Sequence, residues 1–343
     1  MSAKSTNNVN TTNTSKANAS KAVNKENNYR DTSDFVDMKD ALMAAIMDLA
    51  EKNSDVVMLE SDLMKCLGST CFFEKYPKRA FNCGIAEANM VGVAAGLSSM
   101  GFVPFAESFG VFSSRRAFDQ FFLSVNYAKQ RVHLIGTDPG VVAQVNGGTH
   151  MPFEDIALMR QIPDLIIIDP SDAQSCYDLV VQAYESGHSS YIRLARKGVT
   201  HRYSVDKTIT LGKGIVLSEG KDLSIIAEGE IMVNEAENAV RLLKEKGISA
   251  ELIDMHTIKP LDTRLIEKTA KKTGKVLVCE NGRYAGGLGE AVAAHLSKTC
   301  PTLMDFVNVG EKFGEVGDLK YLIKTFKFTA EDIALKAEKL VKA

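Results

Sequence analysis

"RVHLIGTDPGVVAQVNGGTHMPFEDIALMRQIPDLIIIDPSDAQSCYDLVVQAYESGHSSYIRLAR", residues 131 to 196, sets the fold class. Three short apolar runs, RVHLIGT, LIIIDP and SYIRLA, are separated by two segments with helical spacing, FEDIALMRQI and SDAQSCYDLVVQAYESG. Short runs without polar alternation read as strands buried on both faces of a parallel sheet. The helices between them serve as the crossovers that parallel strands require. The stretch is therefore α/β.

The same alternation extends outward. Upstream, DMKDALMAAIMDLAEKN places Met38, Leu42, Ala45, Ile46 and Leu49 on one helical face ahead of the strand VVML. A helix from Gly84, the strand VPFAES and a helix through RAFDQFFLSVNYAK follow. Downstream, the pattern lapses over 198–214, GVTHRYSVDKTITLGKG, and then resumes with DLSIIAEG, NEAENAVRLLKEKG, ISAELIDM, DTRLIEKTAKKTG, KVLVCEN and GLGEAVAAHLSKT. Thr329 and Asp332 mark the start of a final helix as cap and first-turn acid. The expected organisation is a tail over 1–33, a first domain over 34–205 and a second over 206–343. Each domain is a mainly parallel sheet flanked by helices.

A chain of 343 residues has the length of two domains. Its 43 acidic and 41 basic residues nearly cancel, which gives no electrostatic reason to expect a nucleic acid or an anionic membrane as partner. No apolar run is long enough to span a bilayer. The six cysteines, Cys66, Cys71, Cys83, Cys176, Cys279 and Cys300, form no CxxC pair, as expected of scattered thiols in a reducing compartment, hence a cytoplasmic protein. The first thirty residues are Asn, Thr, Ser, Lys and Ala with almost nothing to bury and read as a disordered, solvated tail; a targeting role is the other reading.

Four places invite chemistry. Glu87 lies in the first turn of an otherwise apolar, small-residue helix, and is either a locally capped helix-start acid or a carboxyl with a dedicated partner. In VAQVNGGTHMPFED, 142–155, Gly147 and Gly148 precede His150 in a loop after a strand, where open α/β sheets bind ligands; a solvated loop histidine is the alternative. FAESFGVFSSRRAFDQFF concentrates phenylalanines beside Arg115 and Arg116, either as core or as an aromatic wall for a flat heterocycle with an arginine for an anion. Arg193 and Arg196 end a strand and read equally as phosphate ligands or ion-pair partners. AGGLGEA, 285–291, lacks the G-x-G-x-x-G spacing and reads as a turn into a helix.

Taken together, GIAEANM, FGVFSSRRAFDQ, NGGTHMPFEDIALMRQIPD, YIRLAR, IDMHTIKPLD and GGLGEAV resemble the transketolase family. The likeness runs from about residue 34 to the end and is to the pyrimidine-binding and C-terminal domains, the short form found as the C-terminal subunit of two-chain transketolases. The resemblance implies thiamine diphosphate as cofactor, with Glu87 hydrogen-bonded to N1′ of its aminopyrimidine. It implies Phe109 and Phe112 as the aromatic wall, Phe112 stacking on that ring. Glu87 and His150 are then the catalytic residues, His150 also holding substrate, and Arg196 holds the sugar phosphate. Asn146, which stands where the family has a substrate-contacting Asp, and Arg116, similar to an arginine of deoxyxylulose-phosphate synthases, are further expected substrate-binding residues.

The family holds the diphosphate and Mg²⁺ with a GDG stretch and a following Asn, which this sequence lacks. The resemblance therefore implies a separate N-terminal subunit supplying both, a site across an interface, a dimer of heterodimers, and no metal ligand in this chain. Sugar phosphates are the implied substrates, in transfer of a two-carbon ketol unit from a ketose phosphate to an aldose. A deoxyxylulose-phosphate synthase-like half, a 2-oxoacid dehydrogenase β-like half and a non-catalytic homologue are the alternatives. QVNGGTHM departs from the family's G-E-D-G-P-T-H-Q at Val145, Asn146, Gly148 and Met151, and Arg115 replaces a family Tyr. These changes imply retained cofactor activation with a preference moved toward another phosphorylated or anionic sugar.

Overall fold

A computed structural model describes residues 29–343 and arranges them as two sheets. The strands are β1 (Val56–Glu60), β2 (Ala80–Asn82), β3 (Val103–Phe109), β4 (His133–Thr137), β5 (Ile166–Ile168), β6 (Ser190–Leu194), β7 (Ile215–Ser218), β8 (Leu223–Ala227), β9 (Ala250–Asp254), β10 (Thr257–Lys259), β11 (Lys275–Cys279) and β12 (Leu303–Val307). The first sheet has the order β10-β5-β6-β4-β3-β1-β2 and the second β12-β11-β8-β9-β7. All pairings are parallel except those of the edge strands β10 and β7. The expected fold class is thus observed in both halves.

Period-2 geometry divides the first sheet's side chains between two cores. Met58, Phe105, Ile135 and Ile192 face the helices Met38–Lys52 and Ala173–Glu185, which supply Leu42, Ile46, Leu179 and Val180. Val57, Leu59, Ala106 and Leu134 face the other way, onto Met90, Val91 and Ala94 of the helix Glu87–Ser99. This second core runs on into the C-terminal half through Ile253, Met255 and Val278, so the halves share apolar packing.

Several elements differ from the sequence reading. The helix expected from Gly84 starts at Glu87, because Gly84 holds a left-handed φ of 70° and Ala86 is non-helical. The single helix expected through RAFDQFFLSVNYAK is two pieces, Phe118–Gln120 and a π-helical turn Phe121–Tyr127, and a further helix, Gly110–Arg115, precedes it. Strand β10 belongs by sequence to the second domain but pairs antiparallel with β5 of the first sheet, Thr257 opposite Ile168. The expected tail lies outside the described residues up to 28; its last part is packed, not loose. Tyr29 is buried edge-on against Tyr177, and Thr32 donates to Gln174 Oε1 through its amide and hydroxyl. An aromatic anchor and a buried amide partner there offset the polar composition around them. Among the described residues no helix is long and apolar enough to cross a membrane, and the six cysteines are unpaired thiols.

Candidate active site

The carboxyl ends of β1, β3, β4 and β6 converge on one edge of the first sheet, the place where parallel α/β sheets bind ligands. Glu87 reaches this edge from the first turn of its helix and is only 4% exposed. Its carboxylate accepts from Arg116 Nη1, at 3.1 Å to Oε1 and 3.4 Å to Oε2. The Arg116 guanidinium in turn lies 3.9 Å over the Phe112 ring. A flat, hydrogen-bonding group thus already rests on Phe112 while bonded to Glu87. The two side chains therefore suit a planar nitrogen heterocycle of aminopyrimidine type, which presents a π-face and an edge nitrogen to the same partners. Arg116 itself is half exposed.

The other candidates continue the wall. His150 meets Phe112 edge-on at 5.2 Å and Phe109 at 5.7 Å, and the two phenylalanines are 6.3 Å apart. His150 Nδ1 pairs with the Thr149 hydroxyl at 2.9 Å, which fixes the ring and leaves Nε2 for a ligand. Arg196 stands 5.3 Å from the Phe109 ring. An unbroken chain of contacts therefore runs Glu87, Arg116, Phe112, His150, Phe109, Arg196. Asn146 stays outside it, on the exposed tip of the loop and without a hydrogen bond to these residues. A cleft of about 750 Å³ opens over Phe112, Arg115, Arg116, Thr149 and His150, and Phe313 of the C-terminal half lines its far side.

The loop carrying His150 is held from the second domain. Asn281 accepts from the Val141 amide at 3.0 Å and donates to the Pro139 carbonyl at 3.1 Å. A Cβ on Gly148 would stand 2.5 Å from the Gly314 carbonyl oxygen, and one on Gly314 would stand 2.6 Å from Met151 Sδ. Gly148 and Met151, both departures from the family pattern, are thus the residues against which Gly314 packs. Asp138 and Gln144 hold left-handed backbone (φ 56° and 49°), an unfavourable state for residues other than glycine that clusters at functional sites.

The sequence reading missed one feature and left the partners of two arginines open. Glu60 and Glu107, opposite each other on β1 and β3, are fully buried beneath the wall. Ser69 donates to Glu60, and Thr137 to Glu107 at 2.9 Å; the remaining oxygens meet no other donor and face each other. Burial raises Glu60 from 4.5 to about 7, and burial with the Glu60 charge holds Glu107 well above 4.5, so the pair retains a proton at neutral pH. Arg193 is no phosphate ligand: it is 1% exposed and bonded to Asp155 at 2.8 Å, Asp169 at 2.9 Å and the Asn281 carbonyl at 2.7 Å, tying the two halves together. Arg196 is already engaged by Asp138, which lay unremarked in GTDPG. Burial works against the Arg196 charge, but hydrogen bonding and attraction from Asp138 outweigh it.

The fold is thus two mainly parallel α/β domains, with a buried carboxyl beside an aromatic wall at the strand ends. Residues 34–201 match the family model described as transketolase, pyrimidine binding domain, and residues 212–333 match transketolase, C-terminal domain. The chain belongs to the transketolase family. It is 41% identical over 303 residues to the 6-deoxy-6-sulfo-D-fructose transketolase subunit SqwH of Clostridium sp. (strain MSTE9), covering 88% of this chain and 94% of that one. It is 32% identical to an apulose-4-phosphate transketolase subunit of Phocaeicola vulgatus, covering 87% and 95%. A solved structure titled "Split gene transketolase, inactive beta4 tetramer" superposes with a TM-score of 0.82 at 37% identity, covering 90% of this chain and 98% of that one. The relatives are subunits of split transketolases, and the pyrimidine-binding domain places the chain among thiamine diphosphate proteins.

Proposed function

We propose that the chain is the C-terminal subunit of a two-chain, thiamine diphosphate-dependent transketolase that transfers a two-carbon ketol unit from a ketose to an aldose. The observation that carries this reading is the Glu87 carboxylate sharing one planar, ring-stacked partner with Phe112. Glu87 would hold a hydrogen bond at the aminopyrimidine N1′, while Phe112 and Phe109 hold the ring's face. When bound, the cofactor supplies the electron sink for cleaving the bond between C2 and C3 of the donor. The buried setting of Glu87 strengthens its hydrogen bond by excluding water. His150, braced by Thr149, offers Nε2 to a sugar hydroxyl and holds or moves its proton.

The diphosphate and Mg²⁺ fall to an N-terminal partner subunit, in a dimer of heterodimers. Support comes from the rim, where Ile85 is 77%, Val145 70% and Phe313 88% exposed, apolar surface of the kind a partner covers. The deciding experiment mixes the purified chain with the N-terminal subunit, titrates thiamine diphosphate and Mg²⁺, and assays ketol transfer. Turnover and cofactor binding only in the mixture are expected. Tight cofactor binding by this chain alone, or CO₂ release from pyruvate in place of ketol transfer, would overturn the reading.

A further inference from the structure

The sequence resemblance assigns Arg196 to a sugar phosphate, but three of its five N–H donors are already engaged. Nε donates to Asp138 Oδ1 at 2.9 Å, Nη2 donates to Asp138 Oδ2, and Nη1 donates to the Cys66 carbonyl at 3.0 Å. Their side chains are 7% and 8% exposed, so water screens the pair little. The pair sits at the adjoining ends of β4 and β6, where Thr137 is in register with Leu194. It is part of the same wall as His150, because Arg196 stacks toward Phe109 and Phe109 meets His150. Asp138 keeps its place in a left-handed backbone that favours glycine, fixed by its own amide donating to the Leu194 carbonyl at 2.9 Å. The Glu60 and Glu107 pair below contributes no positive charge. The subsite therefore presents a neutral ion pair, a donor fork beside a carboxylate.

We infer that Asp138 is a specificity residue: it converts the Arg196 subsite from a receptor for a phosphate dianion into one for a sugar tail carrying at most one negative charge. This rests on the ketol-transfer reading and names the substrate class that reading leaves open. A phosphate monoester brings about 1.5 to 2 negative charges at neutral pH, and here it must sit beside a carboxylate. A hydroxyl can donate to Asp138 and accept from Arg196, and a sulfonate brings a single charge to the fork.

The test uses the complex with the N-terminal subunit and three donors that differ only at C6: D-fructose 6-phosphate, 6-deoxy-6-sulfo-D-fructose and D-fructose. The wild type is expected to use the sulfonate or the uncharged ketose at least as well as the phosphate, by kcat/KM. Asp138→Asn keeps the side-chain shape and tolerates the left-handed backbone. It is expected to raise the phosphate-to-sulfonate ratio of kcat/KM about tenfold or more, since it removes a like-charge contact. A wild type that prefers the phosphate tenfold over both other donors would overturn the inference, as would an unmoved ratio in the variant; if the variant does not fold, the wild-type panel decides alone. Should no ketose turn over, the ketol-transfer reading fails by itself. Calorimetric titration of both complexes with inorganic phosphate and methanesulfonate then decides the charge reading: phosphate binding gained in the variant sustains it, and equal binding overturns it.

Discussion

Glu60→Gln tests the buried carboxyl pair through its pH dependence. Glu60 is fully buried, bonded by Ser69 on one side and facing Glu107 on the other, and burial raises it from 4.5 to about 7. A group whose folded value lies above its unfolded one binds its proton more tightly when folded. Its contribution to stability is fully present below about pH 4.5 and is lost as the pH rises through about 7. At roughly 1.4 kcal/mol per pH unit, the rise from 4.5 to about 7 amounts to about 3 kcal/mol of stability lost between acid and mildly alkaline solution. The Gln amide never ionises, can still accept from Ser69, and donates to Glu107. The variant should therefore match the wild type near pH 5 and exceed it by about 2 to 3 kcal/mol at pH 8.5. Urea unfolding at several pH values measures the difference. A gap that does not change with pH would refute the claim that Glu60 takes up a proton on folding. Glu60→Ala, which leaves the Ser69 hydroxyl without its acceptor, is expected to destabilise by about 1 to 3 kcal/mol near pH 5, and the deficit shrinks as the pH rises because the variant has no carboxyl to deprotonate there.

Glu87→Gln should lower turnover of the reconstituted complex by about 10² to 10⁴-fold, the range of a positioned proton-transfer group, while sedimentation shows the complex still assembled. Gly148→Ala should cost about 1 to 3 kcal/mol in chemical denaturation, because its Cβ would stand 2.5 Å from the Gly314 backbone oxygen and neither backbone segment of that contact can retreat freely. Arg193→Met should cost about 3 to 5 kcal/mol by the same measurement, since it strands the buried carboxylates of Asp155 and Asp169 between the two halves.

Legibility in the sequence followed the range of the interactions. Apolar runs such as LIIIDP and the stripe of Met38, Leu42, Ile46 and Leu49 are local, and each reports its own burial, so strand and helix succession could be read directly. Glu87 was conspicuous for the same reason, as a charge among apolar neighbours. Its bond to Arg116 joins residues 29 positions apart and leaves no periodic trace. Asp138 and Arg196 are 58 positions apart, and Asn281 grips Val141 across 140. Strand β10 was hidden because three residues carry too little pattern to reveal an antiparallel pairing with β5. The packed Tyr29 and Thr32 were hidden because composition averages over a tail that two side chains suffice to anchor.

The departures in the His150 loop acquire a physical reason once the second domain is in place. A family proline at position 148 would drive ring atoms into the Gly314 backbone, which already lies too near for a single Cβ. The segment around Gly314 also brings Phe313 to the cleft, and Arg283 secures it by donating to the Gly310 and Lys312 carbonyls at 3.1 and 3.0 Å. Gly148, Met151, Gly314 and Phe313 are therefore one constraint distributed over two domains: glycine at 148 is what allows the C-terminal half to form a wall of the site. Changing the loop back toward the family pattern in isolation would separate that wall from His150, so the NGGTHM segment and residues 310–317 must be exchanged together if the cleft is to keep its shape.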